Sequence, residues 1–292
     1  RAPAACSDLG LDLAQDTSTA NLASAASTAV GMALMLVAQP WQLPPIFIHR
    51  APMHLTGIPD ERVRRVRLPD SGENASCTQF SIEQDIGGPD TGSVLWSGSL
   101  VLSAALRAHA TSLGLAGASV IELGTGLGLV ASVARCLGAS TVLATDGDAS
   151  ILPFCERNLA RNQGDADGAA AAAKLWWGAA PAARRLGQFD LIVGADVVYA
   201  SDSVLGHGAR ELSFAGLLCT YWLLSHENTT VVMTYKNRNP LEARFFELSR
   251  LHFEVGRLPQ IAIPGVPESR EVELHWLKRR PRSTDEPAPY CV

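Results

Sequence analysis

Residues 120–130, VIELGTGLGLV, form an apolar run that breaks into glycine at alternate positions, Gly124, Gly126 and Gly128. A short apolar run bounded by turn residues reads as a buried strand, over 118–123, and the periodic apolar residues of 127–137 read as a helix. Glycine in the turn between them lets backbone amides approach a ligand with no Cβ in the way, and it tolerates positive φ. In an open α/β sheet such a turn lies outside the carboxyl ends of the strands, where ligands bind. The position three after Gly126 is Leu129, so the G-x-G-x-x-G dinucleotide fingerprint fails, and no G-K-[ST] follows to make a P-loop. What stands is E-x-G-x-G-x-G, with Glu122 two residues ahead of the first glycine. A carboxylate there favours a cationic ligand over a pyrophosphate. Orienting the amides of the turn itself is an equally open role for it.

The same alternation continues. Strands are expected at 80–84, 141–145, 189–195 and 230–235, with helices at 95–109, 150–162, 209–225 and 241–251. Late strands are expected near 253–255 and 271–277. The alanine-rich 168–173 reads as a loop leading to a short strand around 174–177. Repeated β-α units with apolar strands imply an α/β fold, a parallel sheet with helices on both faces. Residues 1–77 carry many prolines without alternation and read as a partly irregular N-terminal extension. The folded domain then spans 78–280, and 281–292 reads as a disordered tail.

At 292 residues and 47% hydrophobic content the chain supports a packed core. A net charge of -5 argues against a nucleic acid held by its phosphates. The cysteines show no C-x-x-C pair and the histidines no ligand spacing, so neither a metal site nor a compact disulfide framework is expected. A reducing compartment follows, the cytoplasm and also the nucleus. The uncharged stretch 22–38 is at the short end for a membrane span and weakly apolar, so a membrane role is not expected.

The strand at 141–145 runs into Asp146, placed to accept ribose hydroxyls as in nucleotide folds generally. Asp148 reads instead as a cap for the following helix. Asp196 and Tyr199 follow the apolar strand FDLIVGA.

The segments GSVLWSGSLVLSAAL (92–106), ELGTGLGLV, ERNLARN (156–162), LWWG (175–178) and FDLIVGADVVY (189–199) occur in that order. Together they resemble the family-sixteen protein-lysine methyltransferases, whose hallmark is a D-x-x-Y motif. The resemblance runs from about Phe80 to Lys278. It implies a Rossmann-like, seven-stranded, mostly parallel sheet, S-adenosylmethionine as cofactor, and transfer of its methyl group to lysine Nε of a non-histone protein such as a chaperone or translation factor. By position it assigns Trp96, Gly124, Thr125, Gly126, Asp146, Trp177 and Ala195 to the cofactor, and Asp196 and Tyr199 to catalysis. Glu122 and Gly128 join the cofactor set from the glycine turn. Trp176 beside Trp177 leaves open which ring faces the ligand, since neighbouring strand residues point to opposite faces. A monomer is expected. The stretch VMTYKNRNPLEARFF (232–246) resembles the family's R-x-x-x-x-x-F-F stretch, though its spacing differs, and 1–75 and 259–269 match nothing in it.

Overall fold

Unbroken apolar runs bury both faces of a sheet, and they lie at the centre of this chain. The computed structural model describes residues 62–69, 77–86, 91–164, 168–199, 207–281 and 291. All of them belong to the unit His54–Val292. A hairpin comes first, β1 (Val63–Arg67) antiparallel to β2 (Gln79–Glu83). Helix α1 (Ser97–Ala108) leads to β3 (Ser119–Leu123), α2 (Leu129–Cys136), β4 (Thr141–Asp146), α3 (Leu152–Arg161) and β5 (Ala169–Lys174). Then come α4 (Ala180–Leu186), β6 (Phe189–Ala195), α5 (His207–Leu224), β7 (Ser225–Lys236), α6 (Ala243–Ser249), β8 (Phe253–Leu258) and β9 (Val272–Arg279).

Strands β3 to β9 make one seven-stranded sheet in the order β5-β4-β3-β6-β7-β9-β8. The neighbours from β5 to β7 are parallel, and β9 is antiparallel to both β7 and β8. The chain winds from β3 outward to β5 and then crosses to β6 on the other side of β3. That reversal puts a crevice at the carboxyl ends of β3 and β6. Alternate residues feed two cores: Val120, Leu191 and Val193 pack with α1, α2 and α3, while Ile121, Ile192 and Met233 pack with α5 and α6. Each fully enclosed aliphatic side chain contributes about 1.5–3 kcal/mol relative to exposure, so both faces hold the central strands rigidly.

The hairpin is docked by side chains. Glu83 N–H donates to Asn158 Oδ1 at 2.7 Å, and Asn158 Nδ2 donates to the carbonyls of Glu83 and Leu127, both at 3.0 Å. One helical turn on, Ser81 N–H donates to Asn162 Oδ1 at 2.9 Å and Asn162 Nδ2 donates to the Ser81 carbonyl at 3.0 Å. Four residues of helix rise about 6 Å and two of strand about 7 Å, so asparagines at i and i+4 serve as a surrogate strand for β2. Arg157 and Arg161 each reach the Glu83 carboxylate at 3.2 Å. The Arg157 hydrogen bond is the main reason that carboxyl is held below its usual range.

Several expectations need correcting. The alanine-rich segment is strand β5, paired along its length with β4; alanine has little strand preference, and the exposed edge of β4 decides the matter. The residues after it, Leu175 to Gly178, are loop rather than strand. Strand β1 was not expected, because its V-R-R-V-R sequence lacks the period of two that signals a strand, and it leaves the reading of 1–77 as partly irregular as it stood. The last helix opens as a 3-10 turn, Pro240–Glu242, capped by Asn239 Oδ1 on the Leu241 N–H at 3.0 Å. Disulfides join Cys77 to Cys136 and Cys219 to Cys291. Their partners lie 59 and 72 residues apart, which spacing does not reveal, and the spacing argument for a reducing compartment loses its basis. The stretch 22–38 lies outside the described residues; among those, no helix is long and apolar enough to cross a membrane, and no side-chain cluster could hold a metal.

Replacing Asn158 with leucine strands the Glu83 amide and two buried carbonyls. The expected loss is about 2–4 kcal/mol in urea unfolding; a loss under about 0.5 kcal/mol contradicts the surrogate-strand account.

Candidate active site

The glycine turn leaves β3 with φ of 68° at Gly124, 50° at Gly126 and 78° at Gly128. All three lie in the left-handed region that side chains disfavour. Close approach adds to this. A Cβ on Gly124 would meet Val197 at 3.0 Å and the Trp177 ring at 3.3 Å, and one on Gly128 would meet Cys155 Sγ at 2.8 Å. Part of what crowds this backbone is therefore the protein itself.

Beneath the turn Glu122 is 1% exposed. Its Oε2 accepts from Thr125 Oγ1 at 2.7 Å and from the Ala131 N–H at 3.0 Å. Ala131 is in the first turn of α2, so one carboxylate ties β3, the turn and the helix start together. Burial pushes Glu122 up from 4.5 to about 8, against the pull of those two hydrogen bonds. Of the two roles open to this acid, the structure displays the bracing one. Thr125 N–H donates to the Thr145 carbonyl at 2.8 Å, fixing the turn to the end of β4.

At that end Asp146 accepts the Gly126 N–H at 3.0 Å on one oxygen and the Asp148 N–H at 3.0 Å on the other. Burial raises its pKa, and the Asp148 and Gly126 amides oppose the rise. Asp148 accepts the Ser150 N–H at 2.8 Å, a turn ahead of the helix rather than the cap expected of it, since α3 starts from Ile151 with no side-chain cap. The two tryptophans part company: Trp177 is half-buried against Gly124, whereas Trp176 is 62% exposed with its ring over Gly147. Trp177 thus lies against the glycine turn and Trp176 beside the residue that follows Asp146.

Ala195 ends β6, and Asp196 follows with φ 59°, a left-handed conformation uncommon outside glycine. Thr234 holds it, accepting the Asp196 N–H on its carbonyl at 3.1 Å and on Oγ1 at 3.2 Å, while Oγ1 donates to the Gly98 carbonyl at 3.1 Å. A Cβ on Gly98 would meet Asp196 Cβ at 3.0 Å, so the segment that carries Trp96 lies against the acid. Both Asp196 oxygens are taken by the Arg238 guanidinium, Nη1 donating to Oδ1 at 2.8 Å and Nη2 to Oδ2. Tyr199 keeps 54% of its surface exposed. Its phenol is nevertheless pushed up, first by desolvation and then by the negative charges of Asp146 and Asp196.

The residues expected at the site gather at the carboxyl ends of β3, β4 and β6, with Glu122 one layer below. Arg238, Thr234 and Glu242 were not foreseen. Arg238 lies in the loosely matching segment 232–246, and nothing in its spacing ties it to an aspartate 42 residues earlier. A partly buried acid at the end of β4 and a second acid in a left-handed conformation at the end of β6 suit binding at one point and proton or amine handling at the other.

A sequence model of the lysine methyltransferase family matches residues 74–251. The chain is 30% identical over 192 residues to protein N-lysine methyltransferase METTL21A of Xenopus tropicalis, covering 65% of this chain and 82% of that protein. It is 32% identical over 180 residues to METTL21A of Mus musculus, with 61% and 76% covered. Against protein-lysine methyltransferase METTL21E of Mus musculus it is 32% identical over 179 residues, with 59% and 68% covered. A solved structure described as a candidate S-adenosylmethionine-dependent methyltransferase from Streptococcus mutans superposes with a TM-score of 0.50 at 15% identity, covering 77% of this chain and 57% of that one. This last likeness concerns the fold.

The Glu122 shift has a sign that can be measured. A folded-state pKa above the unfolded one makes a contribution that is whole below the unfolded value of 4.5 and is lost as pH rises through about 8. Glutamine keeps an acceptor for Thr125 and Ala131 and has no proton to lose. Urea unfolding should show Glu122→Gln gaining steadily on the parent between about pH 5 and about pH 8.5; a constant difference across that range contradicts a protonated Glu122.

Proposed function

Because the chain belongs to the lysine methyltransferase family, we propose that it methylates lysine Nε in a non-histone protein, of the chaperone or translation-factor kind, with S-adenosylmethionine as donor. The observation that carries this reading is the meeting of the glycine turn, Asp146, Asp196 and Tyr199 at adjoining strand ends. The donor set fits the cofactor. Asp146 is a carboxylate pinned by two backbone amides, suited to ribose hydroxyls, and Trp176 and Trp177 offer flat faces beside it for an adenine.

In this reading Gly124, Thr125 and Gly126 present backbone to the cofactor, with Gly128 turning the chain into α2. Glu122 holds that turn in shape from below rather than touching the ligand. Trp96 and Ala195 close the cleft next to the reacting centre, Trp96 by its place ahead of α1 and Ala195 by its place ahead of Asp196. When bound, the cofactor supplies a methyl group on a sulfonium. The work left to the chain is alignment, since in-line displacement needs an amine lone pair held in place. A lysine near pKa 10.4 arrives protonated; desolvation beside Trp96 and the covered part of Tyr199 favours its neutral form, the proton leaving to solvent before transfer. Asp196 accepts hydrogen bonds from the amine, and the exposed part of Tyr199 walls the entry.

Incubating the protein with tritiated S-adenosylmethionine and a cell lysate tests this directly. Label is expected on lysine of a discrete protein band, and Asp196→Ala should reduce it about a hundredfold. Mass spectrometry that places the methyl group on histidine or on a small molecule contradicts the lysine assignment.

A further inference from the structure

Asp196, the acid nearest the reacting centre, is not a free carboxylate. Arg238 takes both of its oxygens side on, Nη1 at 2.8 Å from Oδ1 and Nη2 on Oδ2. This is the fork geometry in which a guanidinium fixes both the position and the plane of a carboxylate. The two residues come from neighbouring parallel strands: Asp196 directly follows β6, and Arg238 stands just beyond β7, whose Thr234 pairs with Ala195.

Arg238 is itself anchored. Its backbone N–H donates to Glu242 Oε2 at 3.2 Å, and Nη1 also donates to the Lys236 carbonyl at 3.2 Å. Glu242 is 1% exposed, so the support behind the arginine is rigid. The Asp196 hydrogen bond is the main cause of an Arg238 pKa above its ordinary value. On the other side, Asp196 sits at φ 59°, a conformation that persists only where surroundings over-determine it. Thr234 fixes its backbone and Arg238 its side chain. The Asp196 side chain is 13% exposed and that of Arg238 37%, so solvent reaches the arginine more readily than the acid.

We propose that Arg238 is a positioning residue for methyl transfer, holding the Asp196 carboxylate in one orientation and offsetting its charge so that it presents a directed acceptor to the incoming amine. This rests on the lysine-methyltransferase reading above. A bare carboxylate would bind the lysine ammonium as an ion pair and keep it protonated; one already paired with a guanidinium holds the ammonium less tightly and leaves the neutral amine better placed to react. Arg238 touches neither methyl group nor amine in this account. It acts through Asp196.

Arg238→Ala and Arg238→Lys are compared with the parent as full-length chains, using tritiated S-adenosylmethionine, a cell lysate as acceptor and mass spectrometry to assign the labelled residue. Arg238→Ala should label lysine about ten- to a hundredfold more slowly, with unchanged calorimetric affinity for S-adenosylhomocysteine. Guanidinium chloride at millimolar concentration should restore part of the rate where sodium chloride of equal ionic strength does not. Arg238→Lys should recover only a minor part, since an ammonium cannot hold both oxygens in plane. The rate–pH profile of Arg238→Ala should move to higher pH, as the freed carboxylate keeps the ammonium charged. A merely structural role predicts instead no response to guanidinium and no movement of the profile. A parent that labels lysine while Arg238→Ala labels it equally fast, or faster, overturns the proposal alone. A parent that labels no lysine overturns the underlying reading and the proposal with it.

Discussion

A single buried carboxyl group organises the turn end of β3. Glu122 closes β3, braces the glycine turn through Thr125 and reaches the first turn of α2 through the Ala131 amide. Removing it would strand two buried donors, each costing about 1–3 kcal/mol. The positions of Gly124, Gly126 and Gly128 follow from where it pulls the backbone, and Asp146 then completes the arrangement by taking the Gly126 amide. The site is pre-shaped by bonds within the chain, before any ligand contributes.

Stability and site share parts. Asn158 bonds both the β2 backbone and the carbonyl of Leu127, which lies between two of the turn glycines. The hairpin, α3 and the turn are therefore one hydrogen-bonded unit, and a change on the surface of α3 can be felt at the cleft. On the far side of the switch point a second unit, made of Thr234, Arg238 and Glu242, holds Asp196. Two independently braced acids face one crevice between β3 and β6, and Tyr199 lies in the field of both.

Much of this was legible in the sequence where the signal was local. Strand 189–195 was placed to the residue because an apolar run ends abruptly at an aspartate. The glycine turn and the place of Asp146 at a strand end followed from position. What escaped depends on distant partners. Ala169–Lys174 is a strand only because β4 offers an edge, α4 was too short to announce itself, and both disulfides join cysteines far apart in sequence. Arg238 was hidden for the same reason: its meaning lies in β6 and β7 being neighbours, which no spacing within 232–246 encodes.

The central claim is that the cleft above Glu122 holds a nucleoside cofactor by Asp146. Titration calorimetry of the full chain with S-adenosylhomocysteine tests it without reference to any methyl acceptor. The account predicts saturable binding at one site, weakened at least about tenfold, or about 1.4 kcal/mol, in Asp146→Asn. No heat of binding to the folded parent protein, or equal affinity in Asp146→Asn, would contradict it.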